Sequence, residues 1–203
     1  MKIRQMAASI FKPKSKTIQV APYEFGSPVP APPEVKRKTI FDYARINNID
    51  ILIETGTFRG DTVQSALPLF NKIYSIELNK TLADSARARF MKEPKVQILQ
   101  GDSAIVLREV LNDLNRPAVF WLDGHYSGGV TAKGEKDTPI LEELKCVLSH
   151  SIKNHIVLID DARCFIGEFD YPTLFDIYEL VKGVDRNYKV NVKDDIIRIG
   201  YAI

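Results

Sequence analysis

Acidic residues recur in this chain at one kind of place. Glu54, Glu77, Asp102, Asp123 and the pair Asp160-Asp161 each close a short apolar run. A single carboxylate after a strand is ordinary, because it caps the next helix. Five such ends in succession point instead to a ligand site. Carboxylates there would accept from hydroxyl and amine donors or hold a cation, and would repel a phosphate. A glycine turn, Gly56-Thr57-Phe58-Arg59-Gly60, follows the first acid, and His125 follows Asp123-Gly124. An imidazole titrates near about 6.5, which suits the removal of a proton from a hydroxyl. Asp123, Asp160 and Asp161 are hard oxygen donors of the type that hold Mg²⁺ against substrate oxygens.

These residues meet only if the runs are parallel strands that end together. The runs are nearly all apolar and alternate with helical patterns, which predicts a doubly wound α/β sheet covered on both faces. Strands are expected at 50–54, 72–78, 95–101, 117–124 and 154–161. Helices are expected at 61–70, capped by Asp61 with Gln64, at 81–92, capped by Thr81, and at 103–114. Another begins at Thr138-Pro139, and a further one covers 172–183. The segment 188–203 has the pattern of a hairpin with a polar turn. In such a sheet ligands sit beyond the carboxyl ends of the strands, where the winding reverses.

The rest of the chain bounds the reading. With 203 residues it is sized for one domain, and a net charge of +2 argues against duplex DNA as a partner. No nucleic-acid partner is expected, since basic residues are scattered outside the first segment. Cys146 and Cys164 lack metal-ligand spacing and are expected as free thiols in a reducing, cytoplasmic compartment. No run reaches the ~18 apolar residues of a membrane span. Five of the eleven prolines fall within 20–38, so residues 1–38 are expected as an extended basic arm that could join copies of the chain, and 39–203 as the working domain.

The glycine turn lacks the second glycine of a dinucleotide fingerprint, and no Gly-Lys-Ser/Thr follows it as in a phosphate loop. S-adenosylmethionine meets the constraints, with ribose hydroxyls, an adenine amine and an ammonium as donors. Glu77, at the end of the adjacent strand, would take the ribose hydroxyls; Asp102, with Ser103, would meet the adenine. The ordered set E-x-G-x-x-x-G, SIEL, QGD and LDGH over about 51–162 resembles the class I S-adenosylmethionine-dependent methyltransferases. It is most similar to the macrocin O-methyltransferase and cephalosporin-hydroxylase-like group, through Arg59-Gly60, Asp123-Gly124-His125 and Asp160-Asp161. The resemblance implies a mostly parallel, Rossmann-like sheet of seven strands with the last antiparallel. It also implies cofactor contacts from Glu54, Gly56, Thr57, Arg59, Gly60 and Asp123.

For the chemistry, His125 with Asp123 is the expected catalytic pair, and Asp123, Asp160 and Asp161 the expected magnesium ligands. The bland alternative for the two aspartates is that one caps a turn while the other meets solvent or Arg163. His150 and His155 are expected to be structural, Phe120 and Trp121 core or adenine wall, and Tyr126 and Lys133 substrate contacts in a long polar loop. The leading expectation is O-methylation of a hydroxyl on a sugar or glycosylated small molecule. N-methylation, methylation of a macromolecule, and a cofactor-binding module without catalysis are the competing readings.

Overall fold

The computed structural model describes residues 29–124 and 138–201. Helix α1 spans Pro33–Ile46, and strand β1 Ile51–Thr55. They are followed by α2 (Asp61–Ala66), β2 (Lys72–Glu77), α3 (Lys80–Arg89), β3 (Val96–Gln100), α4 (Ser103–Asn112) and β4 (Val119–Leu122). The second half contains α5 (Ile140–Ser149), β5 (Ile156–Ile159), a 3₁₀ turn at Ala162–Cys164, α6 (Leu174–Val184), β6 (Lys189–Lys193) and β7 (Ile196–Gly200). The sheet order is β3-β2-β1-β4-β5-β7-β6. Every pairing is parallel except those of β7, which runs antiparallel to both β5 and β6.

Strand alternation sorts the core into two layers. Ile51, Ile53, Phe120 and Leu122 pack on the face covered by α4, α5 and α6. Leu52, Val119, Trp121 and Leu158 pack on the face covered by α1, α2 and α3. Both faces are apolar, so β1, β4, β5 and β7 have the continuous buried run expected inside a covered sheet, while the edge strands β3 and β6 are partly exposed. Phe120 and Trp121 are therefore core on opposite faces. The β6–β7 turn, Asp194-Asp195, has both residues at positive φ (53° and 59°), the geometry of a two-residue hairpin turn.

Several local expectations are corrected. The helix predicted over 61–70 stops at Ala66, because Pro68 has no N–H and its ring opposes continuation. Its N-cap is the left-handed Gly60; Asp61 instead pairs with Arg89 at 2.9 Å. Asn79, not Thr81, caps α3, accepting from the Thr81 and Leu82 N–H groups. Residues 33–38 of the expected extended arm form the first turns of α1, since Pro33 sits at N1, where a missing N–H costs nothing. Residues 1–28 of that arm lie outside the described residues.

Candidate functional site

The register aligns the strand ends. The Gly101 N–H donates to the Glu77 carbonyl at 3.0 Å, Gly56 to Ile76 at 2.9 Å, Asp123 to Thr55 at 3.2 Å and Asp160 to Leu122 at 3.1 Å. Across the sheet the rim therefore runs from Asp102 through Glu77, the glycine turn and Asp123 to Asp160. The winding reverses between β1 and β4, in the middle of that row.

Two carboxylates build the glycine turn. Glu77 Oε2 accepts from the Phe58 N–H at 2.8 Å, and its Oε1 from the Asn79 N–H at 2.9 Å. A carboxylate offers about four lone-pair sites, so two of them remain for a ligand. Glu54 lies deeper: Ser75 Oγ donates to its Oε2 at 2.6 Å, and Ser75 Oγ is also 2.6 Å from Thr57 Oγ1. Burial pushes the Glu54 carboxyl up to about 7, against the hydrogen bonds from Ser75 and Thr62. Glu54 and Thr57 thus support the turn from beneath, while Phe58 and Arg59 are on its exposed crest. Asp102 caps α4 through the Ala104 N–H at 2.9 Å, and Ser103 is buried behind it.

Gly56 answers to β4. It has φ +84°, and a methyl there would lie 2.9 Å from the Asp123 carbonyl carbon and closer still to its oxygen. Only glycine lets the turn pass over the end of β4.

On the other half of the rim, Asp160 is buried and hydrogen-bonded to Lys36 Nζ. The same ammonium lies 3.9 Å from Asp161 Oδ1. Burial disfavours the Lys36 charge, but Asp160 and the charges of Asp123 and Asp161 outweigh it and hold the pKa raised. Burial, then Asp161, pushes Asp160 upward. Arg163 donates to Asp161 Oδ1 at 2.7 Å and pairs with Asp195 in the hairpin turn. The terminal hairpin thereby holds the segment that follows β5. Tyr171 is half-buried, and burial raises its phenol, with Cys164, Asp161 and Asp123 adding to the effect.

Solved structures share this fold. The O-methyltransferase TomG from Streptomyces achromogenes, in complex with SAM, is 18% identical and matches 85% of this chain and 81% of its own, with a TM-score of 0.59. An O-methyltransferase from Bacillus cereus, in complex with SAH, is 14% identical over 85% of this chain and 83% of its own, with a TM-score of 0.61. The SAH-bound Podospora anserina methyltransferase PaMTH1 is 16% identical over 83% and 79%, at 0.58. The chain has the methyltransferase fold. No family model and no curated protein matches it.

Within this fold, the three aspartates tested as a magnesium set do not fit one as folded. Their chemistry is right, hard oxygens from two neighbouring strand ends. Two of the three, however, are engaged by the chain's own cations, Asp160 by Lys36 and Asp161 by Arg163. Among the described residues no group of His, Cys, Asp and Glu is arranged to hold a metal ion. The Arg163 pairing is the bland alternative weighed for Asp161.

His125, Tyr126 and Lys133 lie outside the described residues. His155 is structural: its Nδ1 accepts from the Ala118 N–H at 3.1 Å, and its ring packs edge-on to Phe120 at 5.0 Å. Sequence reasoning missed two rim residues. Glu143 on α5 is buried beside Gly124, where a methyl would lie 3.3 Å from its Oε1. Lys36 lies in the proline-rich segment that reads as an arm. Its signal was the spacing of Lys36, Ile40 and Ala44, four residues apart on one helical face whose other two members are core.

Proposed function

We propose that the chain is an S-adenosylmethionine-dependent O-methyltransferase acting on a hydroxyl of a small polyhydroxylated molecule, a sugar or a glycosylated compound. The observation that carries this is Glu77: a carboxylate at the end of β2, held by two backbone N–H groups, beside a glycine turn at the switch of the winding. Such a carboxylate accepts from paired ribose hydroxyls, and the turn admits the rest of the ligand without a diphosphate. Asp102 and Ser103 fall at the next strand end, on the adenine side.

Bound S-adenosylmethionine supplies a methyl on a cationic sulfur, displaced in line by an acceptor oxygen. The rim's part is to hold acceptor and methyl in that line, which supplies much of the acceleration. Asp123, at the end of β4, borders both halves of the rim. His125 follows two residues later and is our candidate for the base that takes the hydroxyl proton. No step is assigned to magnesium, since Lys36 would have to leave Asp160 first. The free thiols Cys146 and Cys164 support a reducing, cytoplasmic setting.

The test is thermal shift with S-adenosylhomocysteine, followed by transfer of a labelled methyl to a panel of glycosides. Binding should raise the melting temperature with the logarithm of ligand concentration once that exceeds Kd. Absence of any shift at millimolar ligand removes the reading. Binding without transfer to any acceptor favours a cofactor-binding module.

A further inference from the structure

We propose that Lys36 is the resident cation of the acceptor half of the rim, standing where the carboxylates of Asp123, Asp160 and Asp161 would otherwise gather a divalent metal. The inference deepens the methyltransferase reading, and its central measurement does not depend on that reading.

The placement follows from α1. This helix leads into β1 through a short turn, so its C-terminal end lies at the foot of the sheet and its first turns reach the carboxyl rim. Ala44 and Ile40 bury against the sheet, and Lys36 continues the same face one turn further on. There its stem leaves the core and its ammonium meets Asp160, whose side chain has no exposed surface, while the Lys36 side chain keeps 23%. The pairing spans 124 residues of sequence, and neither partner is on a surface loop. An aspartate so enclosed needs a cation, and the chain brings one of its own.

The charges agree. Lys36 meets Asp160 and lies near Asp161, and Arg163 is shared between Asp161 and Asp195, so a divalent ion added to that set would face an ammonium a few ångströms away. An ammonium carries three donors. One is used on Asp160, and the group can offer another to an acceptor oxygen as its proton leaves. The acceptor class that suits it is a hydroxyl that becomes anionic during transfer, with no need for a chelating pair of oxygens.

The experiment is Mn²⁺ titration of the full chain, followed by electron paramagnetic resonance, for wild type, Lys36→Met, Lys36→Arg and Lys36→Met/Asp160→Asn. Circular dichroism checks that each variant is folded. We expect no saturable binding below millimolar Mn²⁺ in wild type or Lys36→Arg. Lys36→Met should gain a saturable site at least tenfold tighter, and the double variant should lose it. Wild type that binds Mn²⁺ as tightly as Lys36→Met overturns the proposal, as does a folded Lys36→Met that gains no site. Should Lys36→Met not fold, wild type and Lys36→Arg still decide: saturable Mn²⁺ binding by either one overturns it. Failure of the cofactor reading is separate and shows as no thermal shift with S-adenosylhomocysteine, whatever Mn²⁺ does.

Discussion

Glu77 Oε2 accepts the Phe58 N–H at 2.8 Å, so the carboxylate assigned to the ribose also holds the glycine turn. Binding and local structure therefore share one side chain. Glu77→Ala should weaken S-adenosylhomocysteine at least tenfold by calorimetry, since each hydrogen bond to a charged acceptor is worth ~1.5–3 kcal/mol. It should also lower the melting temperature, through the orphaned Phe58 and Asn79 N–H groups. Unchanged affinity with a lowered melting temperature would leave Glu77 only the structural half of its role.

Gly56 has both a positive φ and the β4 backbone against its missing side chain. Gly56→Ala should destabilise by more than the ~1 kcal/mol of an ordinary glycine replacement in the left-handed region, because backbone at Asp123 cannot yield as a side chain would. Urea unfolding measures it. A cost below that value would mean the turn relaxes away from β4.

His155 is buried neutral. Burial, then the charges of His150 and Lys153, lowers its pKa from 6.5 to about 4. Its Nδ1 accepts from Ala118, so the proton is on Nε2 and points to His150 Nδ1 at 2.9 Å. The unfolded state binds more protons between the two values, so this contribution is complete above 6.5 and is lost as pH falls toward 4. The loss should reach about 3 kcal/mol. His155→Asn should remove the slope while retaining an acceptor for Ala118, as denaturant unfolding across pH will show.

Glu54 has the opposite sign. Its folded carboxyl titrates at about 7 against 4.5 unperturbed, so its contribution is present at low pH and is lost as pH rises from 4.5 through 7. Glu54→Gln should gain on wild type by up to about 3 kcal/mol across that window. The windows of Glu54 and His155 overlap, so in wild type the two slopes offset and each becomes visible in the variant that removes the other.

Truncation separates the arm from the helix. Deleting residues 1–28 should preserve a cooperative thermal transition, because Pro13, Pro22 and Pro28 make that stretch unsuited to a core helix or central strand. Deleting residues 1–38 also removes Lys36 and leaves Asp160 buried without its cation, a change that costs ~3–5 kcal/mol when one partner of a buried pair is lost. Equal stability of the two truncations would show that Lys36 contributes nothing to Asp160.

The α/β class, the seven strands and the carboxylates that close five of them were legible in the chain itself. Each depends on short-range regularities: an apolar run of strand length, a helical repeat after it, and an acid at the junction. The same short range explains where local reading stopped short, as at Pro68 and Asn79, where one residue's chemistry overrode the pattern around it. What the carboxylates do was decided elsewhere. Asp160 and Lys36 are 124 residues apart, and Arg163 reaches Asp195 across 32. Nothing within a strand or a helix encodes which cation arrives at its end. Three aspartates read along the chain are a metal set; in the folded molecule α1 brings Lys36 to Asp160, and Arg163 beside Asp161 is held by Asp195 of the hairpin turn. Sequence periodicity determines which face of an element is buried, and only the packing of distant elements determines which charges meet there.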